Sequence, residues 1–147
     1  MFWRLVSNRS GFALALFALA AACTTYHAAG PTGGFTEIKL SDTSYQVQFR
    51  GNGYTGPARV QQFVLRRSAE LALENGFRYF TTDAPQNLDR NDFWQQYRER
   101  GVTIRFADKA SAETLDALVV VESTNEAAGG QLSEKARAQL QKFKEQS

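Results

Sequence analysis

The chain has 147 residues, enough for one ordinary domain and too few for a dinucleotide-binding fold with two mononucleotide halves. Seventeen basic residues face fifteen acidic ones, and removal of Arg4 and Arg9 with an N-terminal leader leaves the two signs equal, so no basic excess points to nucleic acid. One cysteine excludes an internal disulfide framework.

Arg4 and Arg9 precede the apolar run Gly11 to Ala22, which is closed by small residues and followed at once by Cys23. The run is far shorter than the roughly 20 residues that span a bilayer, so it reads as an export signal over residues 1–22. Leu19-Ala20-Ala21-Ala22-Cys23 resembles a bacterial lipobox, slightly stretched because Leu19 stands one step further from the cysteine than usual. That resemblance implies cleavage before Cys23 and acylation of its thiol and new amine. Thr24, rather than Asp, implies passage to the outer membrane, with the protein lipid-anchored at its periplasmic face. The plain alternative is a stray cysteine in an ordinary signal peptide, although an exported lone cysteine has no partner in its own chain.

Residues 23–34 then comprise the acylated cysteine and "TTYHAAGPTGG", a small-residue segment expected to act as a flexible tether spanning roughly 18 Å. His27 lies in it and is expected to be a solvated linker residue rather than a metal ligand.

Residues 35–147 read as a single α+β domain. "FTEIKL" and "YQVQF" flank the turn residues "SDTS" and predict a β-hairpin with one buried face, to which Phe35, Ile38, Leu40, Tyr45, Val47 and Phe49 contribute. A long helix follows, with Pro57 in its first turn, Gly76 at its end, and an apolar stripe of Val60, Phe63, Val64, Leu71 and Ala72. Arg66 and Glu70, four apart, are expected to pair on its surface. "FRYFTT" and "VTIRF" read as strands. Between them Asp89 is suited to cap a short helix carrying Phe93, Trp94 and Tyr97 and ended by Gly101. Residues 113–122 are ambiguous, since the valine run favours strand and the residues before it favour helix. The last segment predicts a helix with a thin stripe of Leu132, Ala136, Leu140 and Phe143. The expected fold is thus a small, mainly antiparallel sheet with a covering helix and a C-terminal helix.

Gly51, Gly53 and Gly56 in "FRGNGYTGPARV" spell the G-x-G-x-x-G of dinucleotide-binding proteins. Such a motif follows a buried parallel strand of nearly continuous apolar character. "YQVQFR" alternates instead, as an antiparallel strand does, so no dinucleotide or other cofactor is expected. The glycines are read as relieving backbone strain between strand and helix. The remaining alternative is a weak anion-binding loop of Gly51, Gly53, Tyr54, Gly56 and Arg59 at the helix N-terminus.

Tyr45-x-Val47-x-Phe49-x-Gly51-Asn52-Gly53-Tyr54-Thr55, followed by Arg67-x-Ala69-Glu70-Leu71-x-Leu73-Glu74-x-Gly76-Phe77-x-Tyr79-Phe80, resembles a family of small, uncharacterised lipoproteins of Gram-negative bacteria. The resemblance implies a lipoprotein and a fold of this kind, and no activity. No catalytic or metal set is evident: Glu70 and Glu74 are expected to pair with arginines, and Asp83, Asp89 and Asp92 read as loop and cap residues. Arg98, Arg100 and Arg105 near Trp94 and Tyr97 are either an outer charged face or a basic, aromatic surface for glycan or lipid phosphate. The leading expectation is a non-enzymatic envelope lipoprotein that binds or scaffolds an envelope protein or glycan at the membrane. The alternative is a carboxylate-dependent envelope hydrolase or a weak anion- or glycan-binding module.

Overall fold

A computed structural model describes residues 26–30, 33–51, 55–83 and 99–146. The elements in chain order are β1 (Gly34–Ser41), β2 (Ser44–Arg50), α1 (Pro57–Glu74), β3 (Tyr79–Thr82), β4 (Glu99–Ala107), β5 (Leu115–Asp116), α2 (Ala117–Ser123) and α3 (Glu134–Glu145). The strands form one sheet in the order β1-β2-β4-β3-β5, with each neighbouring pair antiparallel. This is the α+β architecture expected from the sequence.

The hairpin turns at Asp42 and Thr43, where the Lys39 ammonium donates to the Asp42 carboxylate at 2.8 Å and the Thr43 N–H donates to Ser41 Oγ at 3.3 Å. Lys39 holds the Asp42 carboxyl below its ordinary range, but both side chains are solvated and the pair adds little. Alternation then sends Val47 and Phe49 of β2, Val102, Ile104 and Phe106 of β4, and Phe80 of β3 into the core.

The same alternation corrects the expectation for β1. Phe35 faces the core side, so Ile38 and Leu40, at the opposite parity, lie on the other face and are 58% and 55% exposed. Glu37 takes a core-side position because an arginine of α1 meets it there.

Helix α1 begins after Gly56, which supplies no side-chain cap, and has Pro57 in the first turn, where a missing N–H costs nothing. It ends in a Schellman arrangement: Gly76, at φ 87°, donates to the Leu73 carbonyl, and Phe77 donates to that of Ala72, both at 2.9 Å. Phe77 is thereby set to stack on Phe106, ring centroids 5.2 Å apart.

The expected stripe of Val60, Phe63, Val64, Leu71 and Ala72 is buried, but so is every residue from Arg66 to Leu73. The reason is tertiary. The sheet packs on one side of α1, and α2 and α3 pack against it as well, so its C-terminal half is enclosed all round. Arg66 and Glu70 are consequently not a surface pair; their side chains are 0% and 2% exposed.

The ambiguous segment resolves into both structures in succession. Leu115 and Asp116 pair with Phe80 and Tyr79, after which the Asp116 carboxylate accepts from the Leu118 N–H at 2.9 Å and starts α2. Helix α3 is capped by Ser133, whose Oγ accepts from the Ala136 N–H at 3.2 Å. Its expected stripe packs inward, with Ala136 buried and Leu132, Leu140 and Phe143 against the core.

Two further expectations are corrected. Gly101 ends no helix: Glu99, Arg100 and Gly101 lie within β4, paired with Arg50, Phe49 and Gln48 of β2, whereas residues 89–98 of the expected helix lie outside the described residues. The tether expectation fails wherever residues 24–34 are described, because Tyr26 is buried and the backbone after it is hydrogen-bonded to β1.

Candidate functional site

The most concentrated chemistry of the described chain is a buried ionic cluster on α1. Arg66 and Glu70 lie one turn apart, and Arg67 lies three and seven residues before Glu70 and Glu74, so one helical face carries all four groups. The Arg66 Nε–H donates to Glu70 Oε1 at 2.9 Å. Its two other nitrogens donate to main-chain carbonyls, Nη1 to Val121 at 2.7 Å and Nη2 to Gln131. Arg67 engages Glu37 of β1 through two parallel bonds of 2.8 Å, a bidentate pairing open to arginine and closed to lysine. It also donates to Glu70 Oε2 at 3.0 Å and to Glu74 Oε1 at 3.1 Å, and its guanidinium lies 4.9 Å from the centroid of the Phe35 ring. Ser133, the cap of α3, donates to Glu74 Oε1 at 2.6 Å.

Tyr26 completes the cluster from the N-terminal side. Its ring packs 5.2 Å from that of Phe35 and 5.5 Å from that of Phe63, and its hydroxyl donates to Glu70 Oε2 at 2.5 Å. The following backbone is a strap across the start of β1. Phe35 donates to the His27 carbonyl at 2.9 Å, Ala29 donates to that of Phe35 at 2.8 Å, and Gly30 and Gly33 bond to each other.

Electrostatics follow from this enclosure. Burial opposes ionisation of Arg67, but the hydrogen bond to Glu37 and the charges of Glu74 and Glu37 outweigh it, so its pKa is raised and it stays charged. Burial, reinforced by the adjacent Glu70 carboxylate, pushes the Tyr26 hydroxyl well above its ordinary value. The neutral phenol is therefore the form the fold selects. Every buried side-chain nitrogen and oxygen among the described residues has a partner. The cluster joins the strap, β1, α2 and the approach to α3 to a single helix.

Tyr26→Phe keeps the ring and removes the donor, so a loss of about 1.5–3 kcal/mol is expected, the range for a hydrogen bond to a charged group. The pH dependence carries a sign. A phenol whose pKa is raised on folding binds more protons folded than unfolded above about pH 10, so its stabilisation is complete below that value and declines as pH rises beyond it. Denaturation at pH 8 and pH 11 should show a steeper alkaline loss for the wild type than for the Phe variant.

The expected anion loop is only partly brought together. Gly53 and Tyr54, like Cys23, lie outside the described residues. Gly51 and Gly56 do not have positive φ, which corrects the backbone-strain reading for these two. Gly51 is small because Thr55 is close: an added Cβ would stand 2.9 Å from that of Thr55. Gly56 meets nothing within 4 Å. Arg59 turns toward other partners, lying 5.4 Å from the centroid of the Phe63 ring and donating to the Ala127 carbonyl at 3.3 Å. The strand leading into the loop is antiparallel to both of its neighbours, unlike the parallel strand of a dinucleotide site.

The other sequence candidates disperse. The Asp83 carboxylate accepts from the Thr103 N–H at 2.5 Å, extending the β3–β4 ladder, whereas Asp89 and Asp92 lie outside the described residues. Glu70 and Glu74 pair with arginines as expected. Arg105 is exposed on the uncovered sheet face; Trp94, Tyr97 and Arg98 lie outside the described residues, as does the side chain of Arg100. The ring of His27 contacts the carbonyl of Ala28, and no group of three metal-ligating side chains occurs among the described residues. No described helix is long and apolar enough to cross a membrane.

Sequence reasoning missed Tyr26, the burial of Arg66, Arg67 and Glu70, and the pairing of Arg67 with Glu37. A signal for the first was present, since Tyr26 is the one large apolar ring in a segment of small residues. The chain matches no protein-family model, no curated protein and no solved structure.

Proposed function

We propose that this chain is a non-enzymatic bacterial envelope lipoprotein, anchored to the outer membrane through Cys23, that binds or scaffolds a partner there. The observation that carries the reading is the order of residues 4–23: two arginines, an apolar run too short to span a bilayer, and small residues leading into the chain's one cysteine. Acyl chains contribute about 0.8 kcal/mol per buried methylene, so several of them hold a domain to a bilayer without a membrane-crossing helix. Support for the binding role comes from β1, an edge strand that presents Ile38 and Leu40 to solvent.

The test is Cys23→Ala in the exporting host. The wild type is expected in the outer-membrane fraction with the added mass of its acyl groups, and the variant as an unacylated product outside it. A variant that still carries lipid mass and sediments with the outer membrane would refute the reading. For the binding role, affinity capture from the envelope with Ile38→Lys/Leu40→Lys is expected to lose partners held by the wild type while the melting temperature stays unchanged, because both side chains are already solvated.

A further inference from the structure

The docking of Tyr26 constrains where the folded domain can sit. Tyr26 is fixed in place: the ring is in the core, the hydroxyl is bonded to Glu70, and the backbone of residues 27–30 and 33 is tied to β1 and to itself. Successive Cα atoms are 3.8 Å apart, so the Cα of Cys23 lies within about 11 Å of that of Tyr26, whatever the two residues between them do. A domain of this length has a radius of gyration of about 13 Å, so such a link is shorter than the domain is wide.

We propose that the domain rests directly on the bilayer with the Tyr26 strap turned toward the lipid headgroups, rather than ranging over the membrane on a free tether. This rests on acylation at Cys23. The exposed residues of the strap, Ala28 and Ala29, are small and uncharged, which allows a close approach to the headgroup layer. Arg59 belongs to the same side of the molecule: its guanidinium lies against Phe63, whose ring touches Tyr26. It is exposed and pairs with no carboxylate among the described residues; one nitrogen donates to the Ala127 carbonyl, and the other donors of the guanidinium suit lipid phosphate. The opposite edge of the sheet, at β5, is four strands from β1, roughly 19 Å away.

Acylation consumes the Cys23 thiol, so an introduced cysteine is the only one left for labelling. Ala29→Cys on the strap and Glu113→Cys beside β5 are both at exposed positions and would each carry a fluorophore. The labelled, acylated proteins are reconstituted in phosphatidylethanolamine and phosphatidylglycerol vesicles containing a headgroup-nitroxide lipid. Several-fold stronger quenching is expected at position 29 than at 113, and a twelve-residue Gly-Ser spacer inserted between Thr25 and Tyr26 should abolish the difference. Equal quenching at the two positions in protein shown by mass to be acylated would overturn the docking while leaving the lipoprotein reading intact. Absence of the acyl mass would overturn both.

Discussion

Glu70→Ala is expected to destabilise the domain by about 3–5 kcal/mol, the cost of leaving a buried charge without its partner. The Glu70 carboxylate is the common acceptor of Arg66, Arg67 and Tyr26, and its side chain is 2% exposed. Arg67 would retain Glu37 and Glu74, whereas Arg66, fully buried, would keep only two neutral carbonyls. Against a total stability of about 5–15 kcal/mol for a native protein, this is a large fraction. The counterpart is the double variant Arg66→Met/Glu70→Leu, which removes both charges and fills much of their volume. It should recover part of the loss, because apolar replacements of buried ion pairs are often neutral or better, whereas the Tyr26 hydroxyl and the Val121 and Gln131 carbonyls are still left without their partners. Urea denaturation of the single and double variants decides the matter. A Glu70→Ala protein within about 1 kcal/mol of the wild type would show that solvent reaches the cluster.

How legible this arrangement was in the sequence depends on the length scale at which each part is determined. The hairpin, the length of α1, its termination at Gly76 and the apolar stripe of α3 depend on neighbours in the chain, and they match the pattern reading. The sheet order and the enclosure of α1 depend on elements far apart in sequence. A helix seen alone assigns Arg66, Arg67, Glu70 and Glu74 to solvent, since charged side chains are rarely buried without partners. The partners here arrive from Glu37, Val121, Gln131 and Ser133, none of which lies on α1. The anion loop is legible only in part for a related reason. Its spacing is visible in the chain, but the contacts that draw Arg59 toward Ala127 and Phe63 are not. Ile38 and Leu40 show the converse: hydrophobic character alone predicts burial, whereas their parity relative to Phe35 places them on the other face.

Gly34→Ala is expected to cost about 1–3 kcal/mol through the backbone alone and to loosen the strap as well. Gly34 has φ of 120°, a conformation that L side chains rarely adopt, and an added Cβ would stand 2.6 Å from the carbonyl oxygens of both His27 and Ala28. Neither oxygen can yield as a flexible side-chain end would. One of them accepts the hydrogen bond from Phe35 that holds the strap to β1. The cheapest relief is therefore to lift residues 27–30 away, which also withdraws Tyr26 from Phe35, Phe63 and Glu70. Gly56→Ser is the control: Gly56 has an extended backbone and open space around it, and serine is a better helix cap, so a change within about 0.5 kcal/mol is expected. Limited proteolysis should cut the Gly34→Ala protein in the strap faster than the wild type. A double-mutant cycle with Tyr26→Ala then isolates the route of the effect. If the glycine acts through the strap, the combined loss should fall short of the sum of the two single losses by more than about 0.5 kcal/mol, because a strap already detached cannot be displaced again. Additive losses would mean instead that the cost is confined to the first residue of β1.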